Sequence, residues 1–181
     1  MISGNRIALR CLEANDLALT AQWRNQSEIR RYFFDKSLIS VSGQANWYEA
    51  YLRDPSRQIF VAVDGTSAEP VGMIGLYQIN YRDRHAEIGS TIIGDRSRWG
   101  QGLGAEMIGL LAEYAFRDLN LHRLYAYAVQ HNQASVRAKL KCGFRQEGLL
   151  REAHYADGRF QDVLLLAMTR GDCEKFKAGL L

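Results

Sequence analysis

The stretch Gly94–Phe116, "GDRSRWGQGLGAEMIGLLAEYAF", sets glycines at 100, 102 and 104 just ahead of a segment in which Met107, Leu110, Leu111, Tyr114 and Ala115 recur at helical spacing. Those positions form one apolar stripe, the pattern of a helix lying on a core. Glycine at alternate positions lets the backbone turn with its N–H groups unobstructed. The helix behind adds its own unpaired N–H groups and the positive end of its dipole. Together they make an anion cradle suited to phosphate, and Arg96 and Arg98 just upstream can add charge at its rim. Glycines before a helix also make ordinary tight turns, so the spacing alone does not choose between the two.

The runs on either side of this loop set the fold class. Ahead of it, "RIALRCL" (6–12), "QIFVAVD" (58–64), "VGMIGLYQIN" (71–80) and "HAEIGSTIIG" (85–94) read as strands. "DLALTAQWRN" with Asp16 as N-cap, "SEIRRYFF" with Ser27 as N-cap, and "GQANWYEAYLRD" (43–54) with Trp47 and Tyr51 on one face read as helices. Behind it come a strand "HRLYAYAVQ" (122–130), a helix "QASVRAKLKCG" (133–143) closed by Gly143, and strands "FRQEGLLRE" (144–152) and "QDVLLLAM" (161–168). Consecutive strands early and strand–helix alternation late predict an α/β (α+β) fold, a mixed sheet with helices on both faces.

At 181 residues and 47% hydrophobic composition, the chain is long enough for one well-packed domain spanning 1–181. The net charge of +3 is spread among acids with no run of like charge, so no nucleic-acid surface is expected. Cys11, Cys142 and Cys173 are far apart and have no histidine at ligand spacing, which argues against a disulfide framework or a metal site. The N-terminus has no apolar leader, and the longest strongly apolar run is "VLLLAM" at 163–168. A spanning helix needs about 18 residues or more, so the expectation is a soluble cytoplasmic protein with no membrane partner.

Three phosphate ligands compete for the loop. It lacks the Gly-Lys-Ser/Thr ending of a triphosphate loop, which removes that reading. Gly100, Gly102 and Ala105 match the dinucleotide fingerprint, but the next strand ends in Gln130 and His131 rather than in an acid, which disfavours a dinucleotide without removing it. The third ligand is the pyrophosphate of coenzyme A. "IIGDRSRWGQGLGAEMI" (92–108), followed by "NQASVRAKLKCGFRQEGLLREAHYADGRFQD" (132–162), resembles the GNAT superfamily of N-acetyltransferases. Trp99 stands where Arg or Gln is usual in that family. This resembles the branch of ribosomal-protein N-terminal acetyltransferases and spermidine acetyltransferases.

The resemblance implies a mostly antiparallel sheet of about seven strands with a splayed parallel pair, and acetyl-CoA as cosubstrate held in the splay. It assigns the pyrophosphate to Arg98, Trp99, Gly100, Gln101, Gly102, Leu103 and Gly104, and the pantetheine arm to the strand edge at Ile92, Ile93 and Gly94 and to Asn132. From the residues alone, Asn132 in "HNQASV" reads as a helix N-cap. Lys139 occupies the position of the family's usual tyrosine, seven residues after Asn132, and is included among the cofactor contacts. The resemblance makes Ser135 the substitute proton donor to the leaving thiolate, with Cys142 as an alternative. For the base that takes the amine proton there are two candidates, Glu87 and His154. The ordinary readings are a solvated Glu87, a rim His154, and turn or strand-end positions for Asp157 and Asp162.

The resemblance implies that the acceptor is an amine, small-molecule or protein. Residues 22–54 resemble the N-terminal region of aminosugar N-acetyltransferases acting on nucleotide-linked sugars, and they are rich in Trp, Tyr and Arg. A polyamine favours an acidic pocket, so this composition points to an uncharged or anionic acceptor such as an aminosugar nucleotide, or to a protein N-terminus. The aromatics Trp23, Tyr32, Phe33 and Trp47 are equally explained by packing. A polyamine acetyltransferase and a non-catalytic acetyl-CoA sensor are the alternatives, and a homodimer stays open.

Overall fold

A computed structural model describes residues 1–179. Eight strands form one sheet in the order β1-β2-β3-β4-β5-β6-β8-β7, with β1 Ile2–Ser3, β2 Ile7–Cys11, β3 Gln58–Asp64, β4 Pro70–Asn80, β5 His85–Ile93, β6 Arg123–Val129, β7 Arg145–Ala156 and β8 Arg159–Thr169. Among the described residues only β5 and β6 pair in parallel, and the helix that connects them is the one behind the glycine loop. The expected seven strands are all present. The eighth, β1, has two residues, too few to carry a period.

The helices are α1 Leu17–Asn25, α2 Ser27–Arg30, α3 Val41–Leu52, α4 Leu103–Arg117, α5 Gln133–Leu140 and α6 Arg170–Lys177. On one face of the sheet, Met107, Leu111 and Ala115 of α4 pack with Leu76, Ile88 and Leu124. On the other, Trp23, Ile29 and Tyr48 of α1–α3 pack with Val61, Met73 and Ile92. Trp47 and Tyr51 share a face as expected, their rings stacked with centroids 5.6 Å apart.

Several expected boundaries move. Asp16 makes no side-chain cap for α1; Arg10 takes both its oxygens at 2.7 Å. Gln26, not Ser27, stands at the N-cap of α2, which ends at Arg30 instead of reaching Phe34. Ser40 caps α3 by accepting the Gly43 N–H at 3.0 Å, so that helix begins two residues before Gly43. The hairpin strands β7 and β8 run to Ala156 and from Arg159, closing on Asp157 and Gly158, both at positive φ. The final helix, α6, opens with a capping box between Thr169 and Asp172.

Two features of β5 shape the site. Met73 pairs with Ile92 and Gly75 with Gly89, so β5 spends one residue more than β4 over this span, and Ser90 sits in the bulge at φ +49°. Side chains two apart normally share a face. The bulge breaks this, so Ile88 packs under α4 while Ile92 packs under α1–α3. The parallel pairing covers only His85–Glu87 against Arg123–Tyr125, and past Glu87 the two strands run on without pairing to each other.

Gly94 ends β5 against the Trp23 indole, where an added Cβ would lie 2.1 Å from ring atoms. Trp23 is itself buried, so Gly94→Ala is expected to destabilise the fold by about 1–3 kcal/mol through overpacking. For a chain of this size that is several degrees in Tm, at about 2–4 °C per kcal/mol, and calorimetry checks it.

Candidate active site

The glycine loop opens α4 with a bare N-terminus. Gly102 is the N-cap at φ +83°, and no side chain caps the helix. Trp99 N–H bonds back to Arg96 and Ala105 N–H to Gly102, but the N–H groups from Gly100 to Gly104 meet no acceptor among the described residues. A Cβ at Gly100 would meet nothing within 4 Å, so the space over the loop is open. A run of free donors at the positive end of a long helix fits a pyrophosphate. The Thr91 Oγ1, buried without a partner in the splayed part of β5, is a further polar atom left for a ligand.

The predicted cofactor contacts divide on inspection. Gly100, Gln101, Gly102 and Gly104 line the cradle through their backbone. Leu103 joins them by its N–H only, because its side chain is buried in the core. Arg98 does not stand free over the phosphates: its guanidinium bonds Asp64 at 2.6 Å and lies 3.6 Å from Asp95. Trp99 donates its indole N–H to the Ile93 carbonyl at 2.8 Å, which closes the loop onto the strand and occupies an acceptor on the expected pantetheine edge. Gly94 is further committed, with its N–H on Val71 and its carbonyl taken by the Gln26 amide. Ile92 has its side chain in the core beside Trp23. Of the expected edge residues, Ile93 and Gly94 are therefore partly used by the protein itself.

Arg6 and Glu106 give no local signal in the sequence, standing 100 residues apart, yet they brace the loop. Arg6 pairs with Glu106 at 2.9 Å and donates to the Gln101 carbonyl at 2.7 Å, while Glu106 accepts the Asn5 and Arg6 N–H groups. Desolvation pushes the Glu106 carboxyl up, but these bonds together hold it below its ordinary value. The acid in the first turn is thereby engaged away from the cradle.

Beside the cradle, α5 places the residues expected to act on sulfur. Asn132 caps the helix as its sequence context suggests, its side-chain oxygen accepting the Ser135 N–H at 3.2 Å. Its amide NH2 makes no bond among the described residues and stays available to a ligand. Lys139 is 4% exposed and donates to Ser135 Oγ at 2.6 Å. Burial pushes its ammonium down to about 8, partly countered by Cys142 and Glu87. Cys142 is packed, its thiol pushed up to about 11 and donating to the Ala105 carbonyl, which suits the alternative proton donor poorly.

Glu87 is not simply solvated. It lies where the parallel pairing ends, and desolvation raises its carboxyl above the ordinary range against the opposing charge of Lys139. His154 is 5% exposed rather than at the rim, packed edge-on against Phe34 at 5.2 Å, with Nε2 buried and unpartnered. Burial and the neighbouring Lys36 and His131 lower its basicity. It therefore belongs with the α2 loop and the β7–β8 hairpin, whereas Ser135 and Lys139 are hydrogen-bonded on α5 and Lys139 acts on the ionisation of Glu87. Asp157 and Asp162 are turn and strand residues: Asp157 pairs with Arg31 at 3.2 Å, and Asp162 accepts the Glu152 N–H at 2.8 Å.

The family model for the acetyltransferase (GNAT) domain matches residues 6–145. The chain belongs to this family. It is an N-acetyltransferase with acetyl-CoA as cosubstrate. Spermidine N(1)-acetyltransferase of Vibrio cholerae is 31% identical over 159 residues, covering 88% of this chain and 90% of that protein. The Escherichia coli enzyme of the same name is 29% identical over 169 residues, covering 93% and 88%. A crystal structure of spermidine N-acetyltransferase from Vibrio cholerae in complex with CoA and spermine superposes with a TM-score of 0.87 at 29% identity, over 94% of this chain and 99% of that one. No helix among the described residues is long and apolar enough to cross a membrane.

The cradle makes a direct prediction. Gly102→Val cannot hold φ +83° without strain, so the loop relaxes and its N–H groups lose their common aim. Coenzyme A is expected to bind this variant about tenfold more weakly or worse, a strain of 1–2 kcal/mol being of that order. It should also raise the variant's Tm less than that of the parent chain, which thermal shift and calorimetric titration measure.

Proposed function

We propose that the acceptor amine attacks the thioester directly in the splay between β5 and β6, with Glu87 taking the amine proton and Ser135 protonating the leaving sulfur. The observation that carries this reading is the end of strand pairing at Glu87 and Tyr125, with the hydrogen-bonded Ser135–Lys139 pair on the helix that follows β6. A carboxyl raised by burial suits a base working near neutral pH. The described chain acts as one domain, since every strand joins one sheet, and it works in the cytoplasm.

The acceptor amine is carried on an uncharged or anionic molecule, an aminosugar nucleotide or a protein N-terminus. Residues 24–36 hold Arg24, Arg30, Arg31 and Lys36 against Glu28 and Asp35. Glu28 is paired with Arg96, which removes one of those acids from any cationic ligand. Arg24 lies over the Phe33 ring at 3.8 Å and makes no ion pair among the described residues. A segment with this balance disfavours a polycation. The second reading is a polyamine acceptor, and it rests on the similarity to spermidine acetyltransferases. A thiol-release assay with acetyl-CoA and a panel of an aminosugar nucleotide, N-terminal peptides, spermidine and spermine separates the two. Saturable release with the sugar nucleotide or a peptide supports the first reading, release with the polyamines alone replaces it, and release with none overturns both.

A further inference from the structure

We propose that Lys139 feeds a proton relay, its ammonium protonating Ser135 Oγ as the Ser135 hydroxyl protonates the sulfur leaving from the thioester. This rests on the transfer reading above and assigns the position vacated by the family's tyrosine a different chemistry. The hydrogen bond runs from Lys139 Nζ to Ser135 Oγ at 2.6 Å. The ammonium therefore occupies a lone pair of that oxygen, and the hydroxyl hydrogen is left to donate elsewhere. A cation on the oxygen also makes its hydrogen more acidic, as a donor to a thiolate requires. A serine hydroxyl alone is a weak acid, and coupling to a group that readily gives up its proton overcomes this.

Lys139 is suited to the supply. It is buried, and its ammonium is destabilised to about 8, so losing the proton costs little near neutral pH. The ionisable groups acting on it are Cys142 at the end of α5 and Glu87 on β5. Cys142 stays a thiol, and Glu87 adds its charge from β5 without an ion pair among the described residues. As the amine nitrogen bonds the acetyl carbon, the C–S bond breaks with its electron pair on sulfur. Sulfur takes the Ser135 proton, Ser135 takes one from Lys139, and Glu87 takes the proton shed by the nitrogen. Products are the N-acetyl amide and the free thiol, with Glu87 protonated and Lys139 neutral. Exchange with solvent then resets both groups, Glu87 giving up its proton and Lys139 regaining one.

The test uses the full chain with acetyl-CoA and the acceptor that turns over in the panel above. Lys139→Met is expected to lower kcat by at least about tenfold, with coenzyme affinity little changed, and to remove a fall in kcat on the alkaline side that the parent chain shows. In the Ser135→Ala background the same change is expected to cost almost nothing, because the two residues act in series. Equal losses from Lys139→Met in both backgrounds would overturn the relay, as would a variant with parental kcat and pH profile. Should Lys139→Met fail to fold or no acceptor turn over, NMR of 15N-lysine-labelled parent chain still decides. One Nζ signal is expected to titrate well below the ordinary lysine range and to move on Ser135→Ala. A chain in which every Nζ titrates near 10.4 and none responds to Ser135→Ala has no such relay.

Discussion

Ser135→Ala is expected to lower kcat by about 10²–10⁴ while leaving coenzyme A affinity nearly unchanged. The separation follows from where the hydroxyl sits. The backbone N–H of Ser135 is held by Asn132 and its Oγ by Lys139, so removing the oxygen leaves α5 capped and the glycine cradle untouched. The ground-state complex loses little, because a thioester sulfur is a poor hydrogen-bond acceptor. The transition state loses more, because negative charge gathers on that sulfur as the C–S bond breaks. Removing Oγ also leaves the Lys139 ammonium buried without its acceptor, so a drop in Tm is expected beside the rate loss. Steady-state kinetics with calorimetric titration of coenzyme A on the same variant checks both halves. A proportional rise in KM and Kd with kcat intact would instead make Ser135 a binding residue.

The fold was legible where period and local chemistry agree. The unbroken apolar runs of β3 and β4, the stripe of α4 and the glycine just behind α5 each need only neighbours in sequence, and each appears where expected, Gly143 at φ +90°. Helix starts were less legible because Asp, Ser and Gln have competing partners. Asp16 looks like a cap in sequence, but Arg10 on the neighbouring strand claims it. The bulge at Ser90 left no readable mark, since a non-glycine residue at positive φ is imposed by the pairs with β4 that flank it.

The candidate site divides in the same way. The cradle is a continuous piece of chain, so its glycines announce themselves, whereas its brace is Arg6 reaching Glu106 from the far end of the sequence. Arg96 and Arg98 carried the right charge for a phosphate rim, but the fold gives them nearer work on Glu28 and Asp64. Lys139 was visible only as a missing tyrosine. Its significance depends on burial around an i, i+4 hydrogen bond on α5, and no spacing rule reports burial.

Glu87→Gln is expected to depress kcat by about 10²–10⁴ near pH 6–7 and by progressively less as the pH rises. Glutamine keeps the shape and loses the proton acceptor. In the parent chain the base works only when ionised, so the rate climbs as the pH passes through the Glu87 carboxyl. Burial sets that point above the ordinary carboxylate value, and the rising limb lies correspondingly closer to neutrality. The variant has no such limb. Its rate follows the fraction of acceptor amine that is already neutral, which grows with pH, so the gap to the parent narrows under basic conditions. His154→Ala is the control for the other candidate base. His154 sits against Phe34 on the α2 loop, apart from the Glu87–Lys139 group, so its removal is expected to raise the KM for the acceptor while the acid limb of kcat stays where it was. Profiles of kcat and KM from about pH 6 to 9.5 on both variants decide the matter: a limb that vanishes with His154 and persists without Glu87 would transfer the base to the histidine.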